Sequence, residues 1–263
     1  MPDFIKEIVT ESKLCSIIYS YDEVSSTNNL ARKLIEEKNQ IGFVIVAETQ
    51  TAGKGQGGRV WESPKGGLWC SIAIQPQIDL SLLGVVPILS AVGIANAFET
   101  FNIKTMLKWP NDILIRSNLK KIGGILVESK VSQLSLEYLI IGIGLNVNNT
   151  LDQYSITLRG QITTIYEEIE NELDLELLLQ RIILQIENSF EILSTFGSQC
   201  LLNEWKQKDN ILGMDVIVQS PEGKYQGRAV DISPYGQLVL EIPDSVKTII
   251  SNGTIILPRI KKE

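Results

Sequence analysis

The stretch AETQTAGKGQGGRVWESP, residues 47–64, is dense in glycine, and its core from Gly53 to Gly58 matches G-x-G-x-x-G. A dinucleotide-binding turn needs a strand before such glycines and a helix directly after them, because the helix N-terminus receives the pyrophosphate. The run GFVIVAE (42–48) supplies the strand. No helix can follow: Pro64, Gly66 and Gly67 intervene, and GLWCSIAIQ (67–75) reads as another strand. A P-loop fails as well, since Gly58 is followed by Arg59 and Val60 rather than by Lys and Ser/Thr. An anion-binding loop and a plain hairpin remain. Lys54, Arg59 and Trp61 favour the first, because glycines bare their N–H groups, cations offset negative charge and a flat ring covers a pocket.

Whole-chain composition narrows the chemistry. The 263 residues carry a net charge of −7, which is wrong for a non-specific nucleic-acid binder. There is no histidine, so Ser-His and Cys-His nucleophiles and histidine metal sites are excluded. The three cysteines, Cys15, Cys70 and Cys200, are far apart and never in a C-x-x-C pair, which argues against a disulfide framework or a zinc site. The N-terminal MPDFIKEIVTESK is acidic and lacks the apolar run of a signal peptide. No segment reads as the roughly 18 uncharged apolar residues of a membrane span. A reduced, cytoplasmic, soluble protein is expected.

Outward from the glycine loop, the pattern alternates strands and helices. CSIIYSY (15–21) reads as a strand and STNNLARKLIEEK (26–38) as a helix capped by Ser26 or Thr27. Residues 86–100 read as an apolar helix with Pro87 in its first turn. Strands are expected at 105–109, 112–115, 122–129 and 135–147. A long amphipathic helix at 174–196 starts at Asp174 and stops at Gly197. Beyond about residue 210, short strands separated by Pro, Gly, Asn and Asp turns indicate a small barrel or sandwich. The expected boundary falls near 208–212.

Three more motifs join the loop. LKWPNDILI (107–115) gathers Lys108, Asn111 and Asp112 around a proline turn. KKIGGILVES (120–129) sets Gly123 and Gly124 inside a strand, where glycine weakens pairing unless a backbone or ligand must come close. IGIGLNVNN (141–149) repeats the pattern and ends at Asn146. In this order, with SSTNNLA (25–31) and the loop itself, the set resembles the biotin protein ligases, and YQGRAVDISPYGQLVLE (225–241) resembles the small domain that ends them.

The resemblance implies an α+β fold: a mixed-sheet catalytic domain of the class II aminoacyl-tRNA synthetase/biotin synthetase type over 1–209, then an SH3-like barrel over 210–263. It implies biotin and ATP as substrates, Mg²⁺ as the usual companion of ATP, a biotin carboxyl carrier protein or domain as acceptor, and a homodimer. Too few residues precede CSIIYSY for the DNA-binding domain that makes some members repressors, so no DNA partner is expected. Lipoate ligases share the general architecture, but their motif contains a histidine that this chain cannot supply. A non-catalytic biotin sensor would have no need of Lys121.

Residue by residue, the resemblance assigns Lys121 and Arg59 to catalysis. It assigns biotin to Ser26, Thr27, Asn28, Gln50, Gly53, Lys54, Gly55, Lys121, Gly123 and Gly124. The adenylate falls to Lys54, Gln56, Arg59, Trp61, Lys108, Asn111, Lys121 and Asn146, with Trp61, Asn111 and Asn146 near adenine. Asp112 either acts through a metal ion or holds its turn. One position departs from the family pattern: Gln56 stands where an arginine is common, and a neutral amide makes no charge-assisted bond to a phosphate. The expected consequence is weaker retention of biotinyl-adenylate. Dissociation of the intermediate should therefore slow in Gln56→Arg, by roughly tenfold for the ~1.4 kcal/mol that separates charged from neutral hydrogen bonds; equal off-rates would show that Lys54 and Arg59 compensate.

Overall fold

The computed structural model describes residues 6–242 and 246–256. The first five and last seven residues of the two expected domains, and 243–245, lie outside them. An eight-stranded mixed sheet is built from β1 (Lys6–Val9), β2 (Ile17–Val24), β3 (Phe43–Gln50), β4 (Leu68–Ile74), β5 (Thr105–Lys108), β6 (Asp112–Ile115), β7 (Lys121–Ser132) and β8 (Ser135–Leu145). Its order is β1-β2-β3-β4-β8-β7-β6-β5. β2 and β3 run parallel and the other neighbours antiparallel. The parallel pair needs a crossover, and α1 (Thr27–Lys38) provides it.

Successive side chains of the central strands point to opposite faces, and each face has its own core. Phe43, Ile45, Ala47, Ala73 and Ile140 pack with Leu30, Leu34 and Ile35 of α1. Val44, Leu68, Cys70, Ile72, Ile141 and Ile143 belong to the larger core on the other face, shared with α2 (Val86–Glu99) and α4 (Leu175–Phe196). Every residue of β4 is buried for this reason. α3 (Ile165–Ile169) is short, and α5 (Ser198–Lys208) follows α4 at once, turning at Gly197 with φ +76°. Asp174 caps α4 as expected, accepting from the N–H groups of Glu176 and Leu177. α3, α5 and β1 carried no signal recognised in the sequence, whereas the short strands β5 and β6 fall where they were expected.

One expectation is corrected. Leu80–Glu99 is helical, long enough and apolar enough to cross a membrane by length and composition. Its Ser, Gly, Pro and Asn residues break the apolar run, but none carries charge. In this fold α2 is a core helix, with Ile88, Leu89, Val92, Ile94 and Phe98 buried, each such side chain contributing roughly 1.5–3 kcal/mol. It lies so close to α4 that a Cβ on Gly93 would sit 3.0 Å from Ile186.

Five antiparallel strands form the second sheet: β9 (Asp215–Ser220), β10 (Gly223–Ile232), β11 (Leu238–Ile242), β12 (Val246–Ile250) and β13 (Thr254–Ile256), in the order β12-β11-β10-β9-β13. It shares the larger core, to which Val216, Val218, Leu238 and Leu240 contribute beside Trp109 and Trp205. Trp109, fully buried, donates its indole N–H to Gly236 O at 3.0 Å. The link between the sheets, Lys208 to Leu212, runs beside β5: Asp209 bridges Leu107, and Asn210 N donates to Leu107 O.

Asp209 caps the start of that link. Its Oδ2 accepts from Ile211 N and Leu212 N, while its Oδ1 is buried with no partner among the described residues. Burial pushes its carboxyl up to about 6, against the backbone hydrogen bonds from Leu212, Ile211 and Asn210 that lower it. The folded state thus binds the proton more tightly than the unfolded chain, and this contribution to stability falls as pH rises from about 4 to about 6. Asp209→Asn keeps an acceptor and removes the charge. Its stability relative to wild type should rise across that window by up to about 3 kcal/mol and stay level above pH 7, as measured by denaturant unfolding at pH 4 and pH 7.5.

Candidate active site

Residues 53–61 form a tight hairpin. Gly55 N donates to Arg59 O and Trp61 N to Gly53 O, around a 3₁₀ turn at Gln56–Gly58. Gly57 and Gly58 take φ of +67° and +77°, the left-handed region that glycine enters without steric cost. Gly53 is required by proximity: a Cβ there would lie 2.4 Å from Trp61 O.

The hairpin covers a cavity of about 450 Å³ on the α1 face of the sheet. Its floor comes from an abrupt change along β8. Ile140 packs under α1, but the next two residues on that face are Gly142 and Gly144. Opposite Gly144, β7 contributes Gly124. Side chains from elsewhere occupy the space left free. A Cβ on Gly142 would stand 2.3 Å from Asn28 Oδ1, and one on Gly144 would stand 2.6 Å from Trp61 Nε1. Gly124 would meet the same Trp61 ring at 3.3 Å.

The N-terminus of α1 opens into this cavity, bringing the positive end of the helix dipole. The sequence indicated a cap from Ser26 or Thr27, but neither caps the helix through its own side chain. Gln50 does so across the fold: its Oε1 accepts from Thr27 N at 2.9 Å and from Thr27 Oγ1 at 3.2 Å, while its Nε2 donates to Ser63 Oγ. Ser71 Oγ donates to Asn28 Oδ1 at 2.6 Å and lies 2.7 Å from Thr27 Oγ1. Asn28 Nδ2 in turn donates to Glu128, which also pairs with Arg32 at 2.6 Å. The result is a polar slot whose groups are held in place by one another. Cys70 lines it too, but burial pushes its thiol up to about 12, so it stays protonated and is no nucleophile.

A charged cluster shares the cavity. Lys121 pairs with Asp112 and places its Nζ 4.9 Å from the centre of the Trp61 ring. Its backbone is clamped on the other side, with N donating to Gln161 O and O accepting from Thr163 N. Lys108 has its pKa lowered by burial, helped by the positive charges of Lys121 and Arg59 and opposed by Asp112. Lys54 donates to Asn29 Oδ1 at 2.7 Å, and Arg59 folds back so that its Nε donates to Gln56 O.

Most residues singled out from sequence meet here: Ser26, Thr27, Asn28, Gln50, Lys54, Gly55, Gln56, Arg59, Trp61, Lys108, Asn111, Asp112, Lys121, Gly124 and Asn146 all line the cavity. Gly53 and Gly123 do not; a Cβ on Gly123 would strike Leu145 at 2.4 Å, so it serves strand packing. Asn146 lines the cavity, yet both ends of its amide are bound within the protein, its Nδ2 to Thr163 O and its Oδ1 to the Tyr154 hydroxyl. Asn111 Nδ2 likewise donates to Ile125 O at 2.6 Å. Ser63, Ser71, Tyr154, Gln161 and Asn210 were missed. Gly142 and Gly144 were visible in IGIGLNV as a signal, but residues 150–164 carry no motif.

An enclosed polar slot joined to a cationic cluster under a glycine hairpin defines a site for a carboxylate or phosphate ligand with an apolar, hydrogen-bonding part. The chain belongs to the Biotin/lipoate A/B protein ligase family. That family's model matches residues 21–146, and the model of the Biotin protein ligase C terminal domain matches 211–257. The bifunctional ligase/repressor BirA of Bacillus spizizenii is 33% identical over 237 residues, 89% of this chain and 72% of that protein. The biotin–[acetyl-CoA-carboxylase] ligase of Paracoccus denitrificans is 27% identical over 83% of this chain and 91% of its own length. The structure of the biotin protein ligase from Aquifex aeolicus in complex with biotin and ATP superposes with a TM-score of 0.79 at 27% identity, covering 92% of this chain and 99% of that one.

The glycine floor is testable without any ligand. Trp69, Trp109 and Trp205 are fully buried, so Trp61 dominates the solvent-sensitive emission. Gly144→Ala should displace the indole and shift emission to the red, at a stability cost of roughly 1–3 kcal/mol. The shift should vanish in a Trp61→Phe background. Superimposable spectra of wild type and Gly144→Ala would refute the contact.

Proposed function

We propose that this chain is a biotin–protein ligase. It joins biotin to ATP to form biotinyl-5′-AMP and pyrophosphate, then transfers the biotinyl group to one lysine of a biotin carboxyl carrier protein or domain. The observation that carries the reading is the meeting of Lys108, Lys121 and Arg59 with the slot built by Thr27, Asn28 and Gln50 in one cavity.

In the first step a biotin carboxylate oxygen attacks the α-phosphorus of ATP, the bond from that phosphorus to the α,β-bridging oxygen breaks, and pyrophosphate leaves. Both reactants are anions. The three cations offset their repulsion and the charge that builds on the α-phosphate, and they do so from fixed positions in a largely enclosed site. Lys121 is the pivotal one, clamped by Gln161 and Thr163 and aimed by Asp112 and Trp61. The slot suits the polar ureido edge of an otherwise apolar bicycle. Trp61 lies across the join between slot and cation cluster, and its buried N–H has no partner among the described residues. In the second step the neutral amine of the carrier lysine attacks the acyl carbon and AMP leaves. The mixed anhydride is already activated, so positioning suffices.

Mg²⁺ enters this reading with ATP. Asp112 and Glu62 are the carboxylates lining the cavity, and no group of three His, Cys, Asp or Glu side chains gathers among the described residues. That donor set fits an ion held chiefly by phosphate oxygens, with Asp112 as its protein contact, where it would supply charge neutralisation. A cytoplasmic location fits three free cysteines. A homodimer is the assembly that the reading carries.

The test is pyrophosphate exchange into ATP, driven by biotin or by lipoate, with no acceptor present. Biotin alone should drive it. Exchange with lipoate alone would reassign the substrate, and exchange with neither would leave a biotin sensor. Lys121→Ala should lower biotin-driven exchange by roughly 10²–10³-fold while calorimetry still shows biotin binding.

A further inference from the structure

The C-terminal sheet touches the site at two points. Gln56, at the tip of the glycine hairpin, donates from Nε2 to Asn252 Oδ1 at 2.6 Å, in the turn between β12 and β13. Three residues on, Ile255 O of β13 accepts from Lys108 Nζ at 3.3 Å. The first contact extends further, because Gln56 O accepts from Arg59 Nε at 2.9 Å. Residues 252–255 thus reach two of the cations that line the cavity, Lys108 directly and Arg59 through Gln56.

We propose that Asn252 is a positioning residue for the glycine hairpin: it holds Gln56, and through it Arg59, so that the hairpin stays down over the bound nucleotide. This rests on the ligase reading above. The asymmetry of the contact supports it. The hairpin tip has little else to hold it, since Cβ atoms on Gly57 and Gly58 would meet nothing within 4 Å. Asn252 stands on a rigid base. A Cβ on the adjoining Gly253 would lie 2.6 Å from Val218 Cγ1, β13 is paired along β9, and Ser251 Oγ accepts from Gln237 Nε2 at 2.8 Å. A soft element tied to a stiff one takes its position from the stiff one. The C-terminal sheet thereby becomes part of the nucleotide site, and Gln56 gains a role that an arginine's charge does not supply, a neutral side-chain link to the second sheet.

The experiment uses the full chain with biotinyl-5′-AMP formed in situ, and measures its off-rate and the KM for ATP in biotin-driven exchange. Asn252→Ala and Gln56→Ala should each raise the off-rate roughly 3- to 10-fold, the worth of one net hydrogen bond. The double variant should be no worse than the more affected single one, because both remove the same link. Asn252→Asp keeps the acceptor and should retain the wild-type off-rate, which a general loosening of the turn would not allow. If Asn252→Ala lowers the melting temperature, Asn252→Ser repeats the measurement in a residue that suits turns. An unchanged off-rate in Asn252→Ala, or independent multiplication in the double variant, overturns the proposal while leaving the ligase reading intact if wild type exchanges. Absence of exchange in wild type overturns both.

Discussion

The site depends on missing side chains at three places on two paired strands. Gly124, Gly142 and Gly144 leave the α1 face of β7 and β8 bare where the sheet runs past the helix N-terminus. An alanine at Gly142 or Gly144 would overlap Asn28 or Trp61, because protein interiors leave no spare methyl volume. The same strands carry Ile140, Ile141 and Ile143, so the sheet is stabilised by its apolar residues while three glycines make room for chemistry. Glycine within strands costs stability. Here a ring and an amide pack onto the vacated surface and offset part of that cost.

Electrostatics follows from this geometry. Once Trp61 lies across the glycines, Lys121 rests near its ring and against Asp112, and burial, helped by the nearby charges of Lys121 and Arg59, depresses the pKa of Lys108. Four cations, Lys54, Arg59, Lys108 and Lys121, line the cavity with two carboxylates, Asp112 and Glu62, which leaves positive charge in excess. A polyanion completes the balance, which is why such a cluster reads as a binding site rather than as a stabilising network. The acidic overall composition gave no hint of it, since net charge averages over the surface and the site is local.

The two sheets also share more than a linker. Trp109 and Trp205 join a core to which the C-terminal strands contribute, and Trp109 bonds to Gly236. Contact between the second sheet and the hairpin is possible because that core holds the sheets in one relation.

Much of the site was legible because its chemistry is local in sequence. Glycines at fixed offsets, the Lys-Trp-Pro-Asn-Asp turn and the paired lysines each sit within a short run, and strand periodicity placed β2, β3, β4, β7 and β8 within a few residues of their bounds. Alternation also determines that β8 presents Gly142 and Gly144 on one side. What the sequence could not yield are relations between distant segments. Gln50 rather than Ser26 caps α1, Asn146 braces residues 154–163, Leu80–Glu99 is core, and Asn252 meets Gln56 across 196 positions. Each is decided by which faces the sheet brings together, and side-chain partners over such separations leave no periodic trace in the chain.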